Sequence, residues 1–260
     1  MRRVLLGADL HAGHAKATTL PPWQWPTVGG TERRNRAGEV QLESEEKLRE
    51  IIKAEQPFDA AVWAGDMIHG RMPDALMTTM DRDEQVEQAA AIVNLVGASE
   101  NLIIAGTPRH TGDIEKWERV LAASVSAKFG SRVFFEIEGV KFVARHKVGR
   151  SRIPHGKATP VMRQAIWNEL NAAREREPKA DVLLFGHVHY HLIVEVPEWT
   201  AMTLPALCCR TEFADENSEG DAHWGVVVMD IEDGRIVDRR SHTMVIRSDV
   251  PEVLHLCQAK

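Results

Sequence analysis

Four short runs of this chain, residues 4–8, 60–64, 102–105 and 182–185, are apolar or glycine from end to end. A strand that is apolar on both faces has to be covered on both faces. Such strands belong to buried, largely parallel sheets whose crossovers are helices. The intervening segments supply those crossovers. Residues 39–54 carry Val40, Leu42, Leu48, Ile51 and Ile52 at helical spacing, and residues 83–96 carry Val86, Ala89, Ala90, Val93 and Leu95 on or near one face. A further helix is predicted over 113–127. The first half therefore reads strand–helix–strand–helix–strand, with an irregular stretch at 10–38 after the first strand.

The second half has a different rhythm. Residues 133–137 and 140–144 flank Glu138-Gly139 and predict a hairpin, and 224–231 and 235–244 flank an Asp233-Gly234 turn. A helix at 159–176 precedes the apolar strand at 182–185, and shorter strands are expected at 192–196 and 202–204. Together these features predict an α/β fold with two mixed sheets facing each other and helices outside. No linker-like segment or internal repeat divides the 260 residues, so one domain spanning 1–260 is expected.

Composition narrows the setting. Arg2 and Arg3 precede an apolar run that ends at Asp9, shorter than the roughly 7–15 residues of a signal-peptide core. No run approaches the ~18 apolar residues of a membrane span. Cys208, Cys209 and Cys257 are odd in number and lack the spacing of a disulfide framework or zinc ribbon. These features predict a cytoplasmic protein with no membrane partner. The net charge of −6 argues against a passive nucleic-acid coat, which is commonly basic.

Chemistry collects just beyond the predicted strand ends, where open α/β sheets place their ligand crevice. Asp9 and His11 follow the first strand, Asp66 the second, and Thr107 and His110 the third. His146 follows the hairpin, and His187 and His189 follow the strand at 182–185. Any one of these is unremarkable alone: an Asp after a strand commonly caps a turn. Their concentration at one end of successive strands points to a shared metal site. Imidazole and carboxylate donors suit zinc, manganese and iron. The spacings Asp9-x-His11 and His187-x-His189 would put each pair on one side of an extended backbone, able to grip one ion or span two. Asp66 could bridge two ions, and ions about 3.5–4 Å apart can clamp both oxygens of a phosphoryl displacement.

In order, the blocks GADLHAGH (7–14), WAGDMIHG (63–70), AGTPRH (105–110), ARHKV (144–148) and FGHVHY (185–190) resemble the motifs of the calcineurin-like metallophosphoesterase superfamily. The resemblance implies a four-layer α/β/β/α sandwich and a phosphoric ester hydrolase with two divalent metal ions. Manganese is the first expectation, with zinc, iron or nickel as others. It implies Asp9, His11, Asp66 and His189 around the first ion, with Asp66 bridging and His146 and His187 on the second. A water or hydroxide between the ions would be the nucleophile. The third block departs from the family's Gly-Asn-His. Thr107 stands at the asparagine position and His110 comes two residues late. Either Thr107 is a weak ligand and His110 assists the leaving group, or His110 binds metal itself. The GTPxH form, with Pro21-Pro22, resembles the bacteriophage-type branch of the superfamily.

Substrate signals are coarser. Residues 139–168 contain Lys141, Arg145, Lys147, Arg150, Arg152, Lys157 and Arg163 and no acidic residue, a positive segment beside His146 suited to a polyanion. It is equally readable as a solvated face. His14, Arg109, Arg150 and Arg152 are candidate phosphate contacts, although His14 also reads as an ordinary surface histidine. Trp23, Trp25, Arg33, Arg34 and Arg36 could stack on bases, or the tryptophans could pin the loop to the body. The expected activity is hydrolysis of nucleic-acid or nucleotide phosphodiesters, DNA or RNA included. A phosphomonoesterase or protein phosphatase, or a metal-binding scaffold without turnover, are the alternatives.

Overall fold

The structure, a computed structural model, describes residues 1–27, 33–72, 76–112, 116–211 and 222–250, with backbone only at 33–35. Cys257 and the side chains of Arg33 and Arg34 lie outside the described residues. In chain order the elements are β1 (Arg2–Gly7), α1 (Arg33–Glu55), β2 (Ala60–Trp63), α2 (Arg82–Val96), β3 (Glu100–Ile104), α3 (Pro108–Thr111), α4 (Trp117–Ser124), β4 (Lys128–Gly130), β5 (Arg132–Ile137), β6 (Val140–Arg145), α5 (Ala158–Ala173), β7 (Val182–Phe185), β8 (Leu192–Val196), β9 (Trp199–Thr203), β10 (Trp224–Glu232) and β11 (Arg235–Met244).

These strands form two mixed sheets. The first has the order β11-β10-β1-β2-β3-β4 and the second β5-β6-β7-β9-β8. In the first sheet β1, β2, β3 and β4 run parallel, and β10 closes antiparallel onto β1. In the second, β6, β7 and β9 are parallel and hairpin partners cover the edges. Three apolar clusters separate four layers. Leu6, Val62 and Ile104 of one sheet meet Phe142, Leu184 and Met202 of the other in the central layer. Leu5, Trp63 and Ile103 face Leu48, Ile92 and Leu121 of the helices on the first sheet's outer side. Val143, Leu183 and Phe185 face Val161 and Ala165 of α5. The result is the α/β/β/α sandwich that the resemblance implies. It also explains the continuous apolar runs: alternate residues of β1, β2 and β7 enter different cores, so no face is left for polar side chains.

Local chemistry sets several boundaries. Asp81 caps α2 by accepting from the amides of Asp83 and Glu84, and Gly97 ends it in the left-handed region. Both predicted hairpin turns have positive φ at their two central residues, Glu138-Gly139 and Asp233-Gly234.

Two expectations need correction, and one strand escaped the sequence pattern. The irregular stretch after β1 ends at α1, which begins at Arg33 rather than near 39, so Arg33, Arg34 and Arg36 belong to a helix. Its polar first turns show no apolar period. The helix predicted over 113–127 is the shorter α4; Lys116 sits in the left-handed region and the chain turns into β4 at Lys128. β4 was hidden because KFG is too short for a strand pattern. Residues 113–115 lie outside the described residues. No described helix is long and apolar enough to cross a membrane.

Candidate metal centre

The loops after β1, β2, β3, β6 and β7 converge at one end of the facing sheets. Backbone bonds knit the first two together: Asp9 N–H donates to Gly65 O (3.0 Å), His11 N–H to Asp66 O (2.9 Å) and His69 N–H to Ala12 O (2.9 Å). Helix α2 holds them from behind. Gln88 accepts from Gly13 N–H, and Gln85 both accepts from and donates to the Gly70 backbone.

Asp9, His11, Asp66, His187 and His189 all have φ between 49° and 76°. Left-handed backbone at non-glycine residues costs about 1–3 kcal/mol each and clusters at functional sites. This corrects the expectation of an extended backbone in the two x-spaced pairs: the residues lie in tight loops beyond the strands, where the two-residue repeat no longer applies. The outcome differs for each pair. Asp9 and His11 join His189 in one group of potential ligands, whereas His187 joins Asp66 and His146 in a second. Within each group the donor atoms lie within 4.8 Å of one another. His146 Nε2 lies 4.0 Å from Asp9 Oδ1, so the two groups are adjacent.

The donor chemistry fits cations. His146 Nδ1 lies 2.7 Å from Ala64 O and must carry hydrogen to bond it, which leaves Nε2 facing Asp66 Oδ2 at 2.9 Å. That contact has no aligned hydrogen bond. His11 Nε2 and His189 Nε2 meet at 3.1 Å, with Asp9 Oδ1 3.8 and 3.5 Å away. Lone pairs directed at one another in a largely buried pocket call for a proton or a metal ion between them. Burial keeps the imidazoles neutral: it depresses His11 strongly, His189 to about 3 and His187 to about 4. His146 is the exception, since burial opposes its charge but the Asp66 and Asp9 carboxylates outweigh it and raise it to about 10. Burial likewise raises Asp9, while at Asp66 it is overcome by His146, which holds that carboxyl down.

Thr107 donates to Asp66 from its amide (2.6 Å) and from its hydroxyl (3.1 Å to each oxygen). It orients the carboxylate between the two groups. His110 Nδ1 lies 2.7 Å from His69 O, which turns Nε2 inward, 4.0 Å from Asp66 Oδ2.

The phosphate candidates divide. Arg150 is half-buried, and together with Lys147 its charge contributes to the depression of His187, after burial and His146. It stands at the rim of the second group. Arg152 is exposed, and exposed Arg109 leans on Met72 Sδ. His14 is buried rather than on the surface; its Nδ1 accepts from Lys16 N–H (3.0 Å), and burial lowers it to about 3. The tryptophan loop is pinned at Trp25, whose amide donates to Gln41 and whose carbonyl packs on Gly38 of α1. Lys157 lies over the Tyr190 ring.

Two buried residues escape the sequence patterns. His69 packs against His11, His14 and His110 and forms with His11 and His110 a third group of potential ligands. Its only signal is its place three residues after Asp66 in a matched block. Glu118 of α4 accepts from Met67 N–H (2.8 Å) and Gly106 N–H (2.5 Å), tying the Asp66 loop to the Thr107 loop. Burial and then the charge of Asp66 raise its carboxyl to about 8. Nothing in the local sequence marks it.

Packing around Asp66 leaves no slack. A Cβ on Gly106 would overlap Asp66 Oδ1 and the Asp66 backbone nitrogen, and backbone does not yield as a side-chain tip does. Gly106→Ala is therefore expected to shift the loop at an overpacking cost of about 1–3 kcal/mol. That corresponds to a melting temperature lower by about 2–12 °C, with weaker metal binding. Thermal melts with and without Mn²⁺ check this; unchanged melting and metal uptake would show that the loop absorbs the methyl.

No family model matches the sequence, and none of the curated proteins does. Among solved structures, the chain is similar to an archaeal phosphodiesterase at 14% identity, covering 93% of this chain and 99% of that one with a TM-score of 0.48. Zinc-complexed Vps29 from Entamoeba histolytica is 13% identical over 94% and 99% of the two chains, TM-score 0.47. A predicted phosphoesterase from Streptococcus pneumoniae is 12% identical over 88% and 83%, TM-score 0.38.

Proposed function

We propose that this chain is a cytoplasmic, dinuclear-metal phosphodiesterase of the calcineurin-like superfamily, in its bacteriophage-type branch, acting on nucleic-acid or nucleotide diesters. The observation that carries the reading is the pair of adjacent buried ligand groups, Asp9–His11–His189 and Asp66–His146–His187, set at the strand ends. Asp66 would be the carboxylate shared between the two ions, and Thr107 holds it in place. Two divalent ions bound there, manganese by preference, would activate a water and neutralise phosphoryl charge.

The protein's own groups do the rest. Asp9, His11 and His189 fix one side of the centre, and His146 and His187 the other. His110, outside both groups, presents Nε2 toward the site and in its protonated form donates to the leaving alkoxide. Arg150, joined by Arg152 and Arg109 nearer the surface, orients the phosphate and draws in a polyanion.

The test is turnover of metal-stripped protein, with Mn²⁺ restored, on an aryl phosphodiester, an aryl phosphomonoester and single- and double-stranded DNA. Mn²⁺-dependent cleavage of the diester or DNA, with little monoester hydrolysis, is expected. Preference for the monoester would replace the diesterase reading with a phosphomonoesterase. Two bound ions without turnover on any probe would favour a scaffold.

A further inference from the structure

The third histidine group raises a question that the two-ion reading does not answer. His11 is shared between two N···N contacts of equal length: Nε2 lies 3.1 Å from His189 Nε2, and Nδ1 lies 3.1 Å from His69 Nδ1. A neutral imidazole has one donor and one acceptor nitrogen. If Nε2 gives its lone pair to an ion beside Asp9 and His189, Nδ1 must carry the hydrogen. The only group that hydrogen meets within bonding distance among the described residues is His69 Nδ1.

We infer that His69 is a positioning residue for the metal centre: its Nδ1 accepts the Nδ1–H of His11 and so locks His11 with Nε2 aimed at the first ion. This inference rests on the two-ion reading above. Metal-bound histidines generally donate their second nitrogen to a carboxylate, carbonyl or water, and that partner fixes ring and tautomer. His146 follows this pattern with Ala64 O. At His11 the acceptor is another imidazole instead. The opposite tautomer of His69 would donate to His11 Nδ1 and force a hydrogen onto His11 Nε2, against His189.

His69 is held for this task. It is buried, its amide donates to Ala12 O, and Gly70 beside it is clamped by Gln85. Its Nε2 is buried without a hydrogen-bond partner, so the ring's polar anchoring comes through Nδ1 alone. The His69 carbonyl meanwhile accepts from His110 Nδ1. One residue thus orients His11 through its side chain and His110 through its backbone. Removing the side chain leaves the second role intact. A third ion held by His11, His69 and His110 is incompatible with this assignment, because it would need the lone pair on His11 Nδ1.

Co²⁺ titration of the metal-stripped full chain, followed by its visible d–d bands and by chelator competition, tests the assignment without any turnover assay. Wild-type protein is expected to take up two equivalents. His69→Ala should weaken one of them by about 10–100-fold and alter its spectrum. His69→Asn, whose side-chain oxygen can stand near the Nδ1 position, should recover most of the affinity. Melting of the metal-free variants reports folding, and if His69→Ala melts early, the His69→Asn and wild-type comparison carries the test. Equal affinity in wild type and His69→Ala overturns the inference, as does an Asn variant no better than Ala. A third equivalent present in wild type and lost in His69→Ala makes His69 a ligand and overturns it too. Failure of the wild-type protein to bind two equivalents counts against the two-ion reading instead.

Discussion

Asp66→Asn is expected to reduce bound metal from two equivalents and to lower turnover by about 10³-fold or more. Asp66 meets several candidate roles at once: it lies 2.9 Å from His146 Nε2 and 4.0 Å from His110 Nε2, and Thr107 bonds it from two donors. The substitution keeps its shape and one oxygen for Thr107 N–H. It removes the negative charge and places an amide N–H₂ or a lone neutral oxygen where two cations need a shared anion. Metal ions supply several kcal/mol of charge stabilisation to phosphoryl transfer, and each 1.36 kcal/mol is a factor of ten, which sets the scale. Metal content after chelation and reloading, beside Mn²⁺-dependent diester turnover, checks both halves. A variant that retains both ions and wild-type turnover would remove Asp66 from the shared position. The metal-free fold is expected to survive, because Asn keeps the contact with Thr107 and buries no new charge.

How far the site was legible follows from how its parts are encoded. Asp9, His11, Asp66, His146, His187 and His189 each sit within four residues of a strand end, so apolar runs locate them and their residue types name the chemistry. Spacing alone did not reveal the division into two groups, which came only from the family resemblance, because it depends on left-handed loops that side-chain spacing does not encode. Thr107 illustrates a different limit. Its place in the third block shows that it stands where an asparagine is expected, but only the structure shows its amide and hydroxyl converging on Asp66. Glu118 lies 52 residues from Asp66 on a separate helix, and its role arises wholly from packing. The fold was legible wherever apolar continuity or a turn pair marked it, as in β7 and both hairpins. It was illegible where an element is polar, as at the start of α1, or only three residues long, as in β4.

Those same contacts separate the two readings of the third block, and His110→Ala is the variant that decides between them. With Nδ1 held by the His69 carbonyl, His110 points Nε2 toward Asp66 from outside both ligand groups that contain carboxylates. A group so placed is suited to proton donation to a leaving oxygen rather than to holding an ion already supplied with donors. His110→Ala is therefore expected to keep both metal equivalents and lose about 10²–10⁴-fold in kcat. The loss should depend on the leaving group. An alkoxide must be protonated as the bond breaks, so a diester with an alkyl leaving group should suffer the full loss. A nitrophenolate departs as a stable anion, so its diester should suffer much less. That contrast is one a folding defect cannot imitate, since misfolding lowers both rates alike. Loss of one metal equivalent, with equal damage to both substrates, would instead make His110 the ligand that replaces the family's asparagine. Thr107 would then be left with the single task of holding Asp66. The His11–His110 ring contact, 4.6 Å between centroids, would in that case join two ligand imidazoles rather than a ligand and a proton donor.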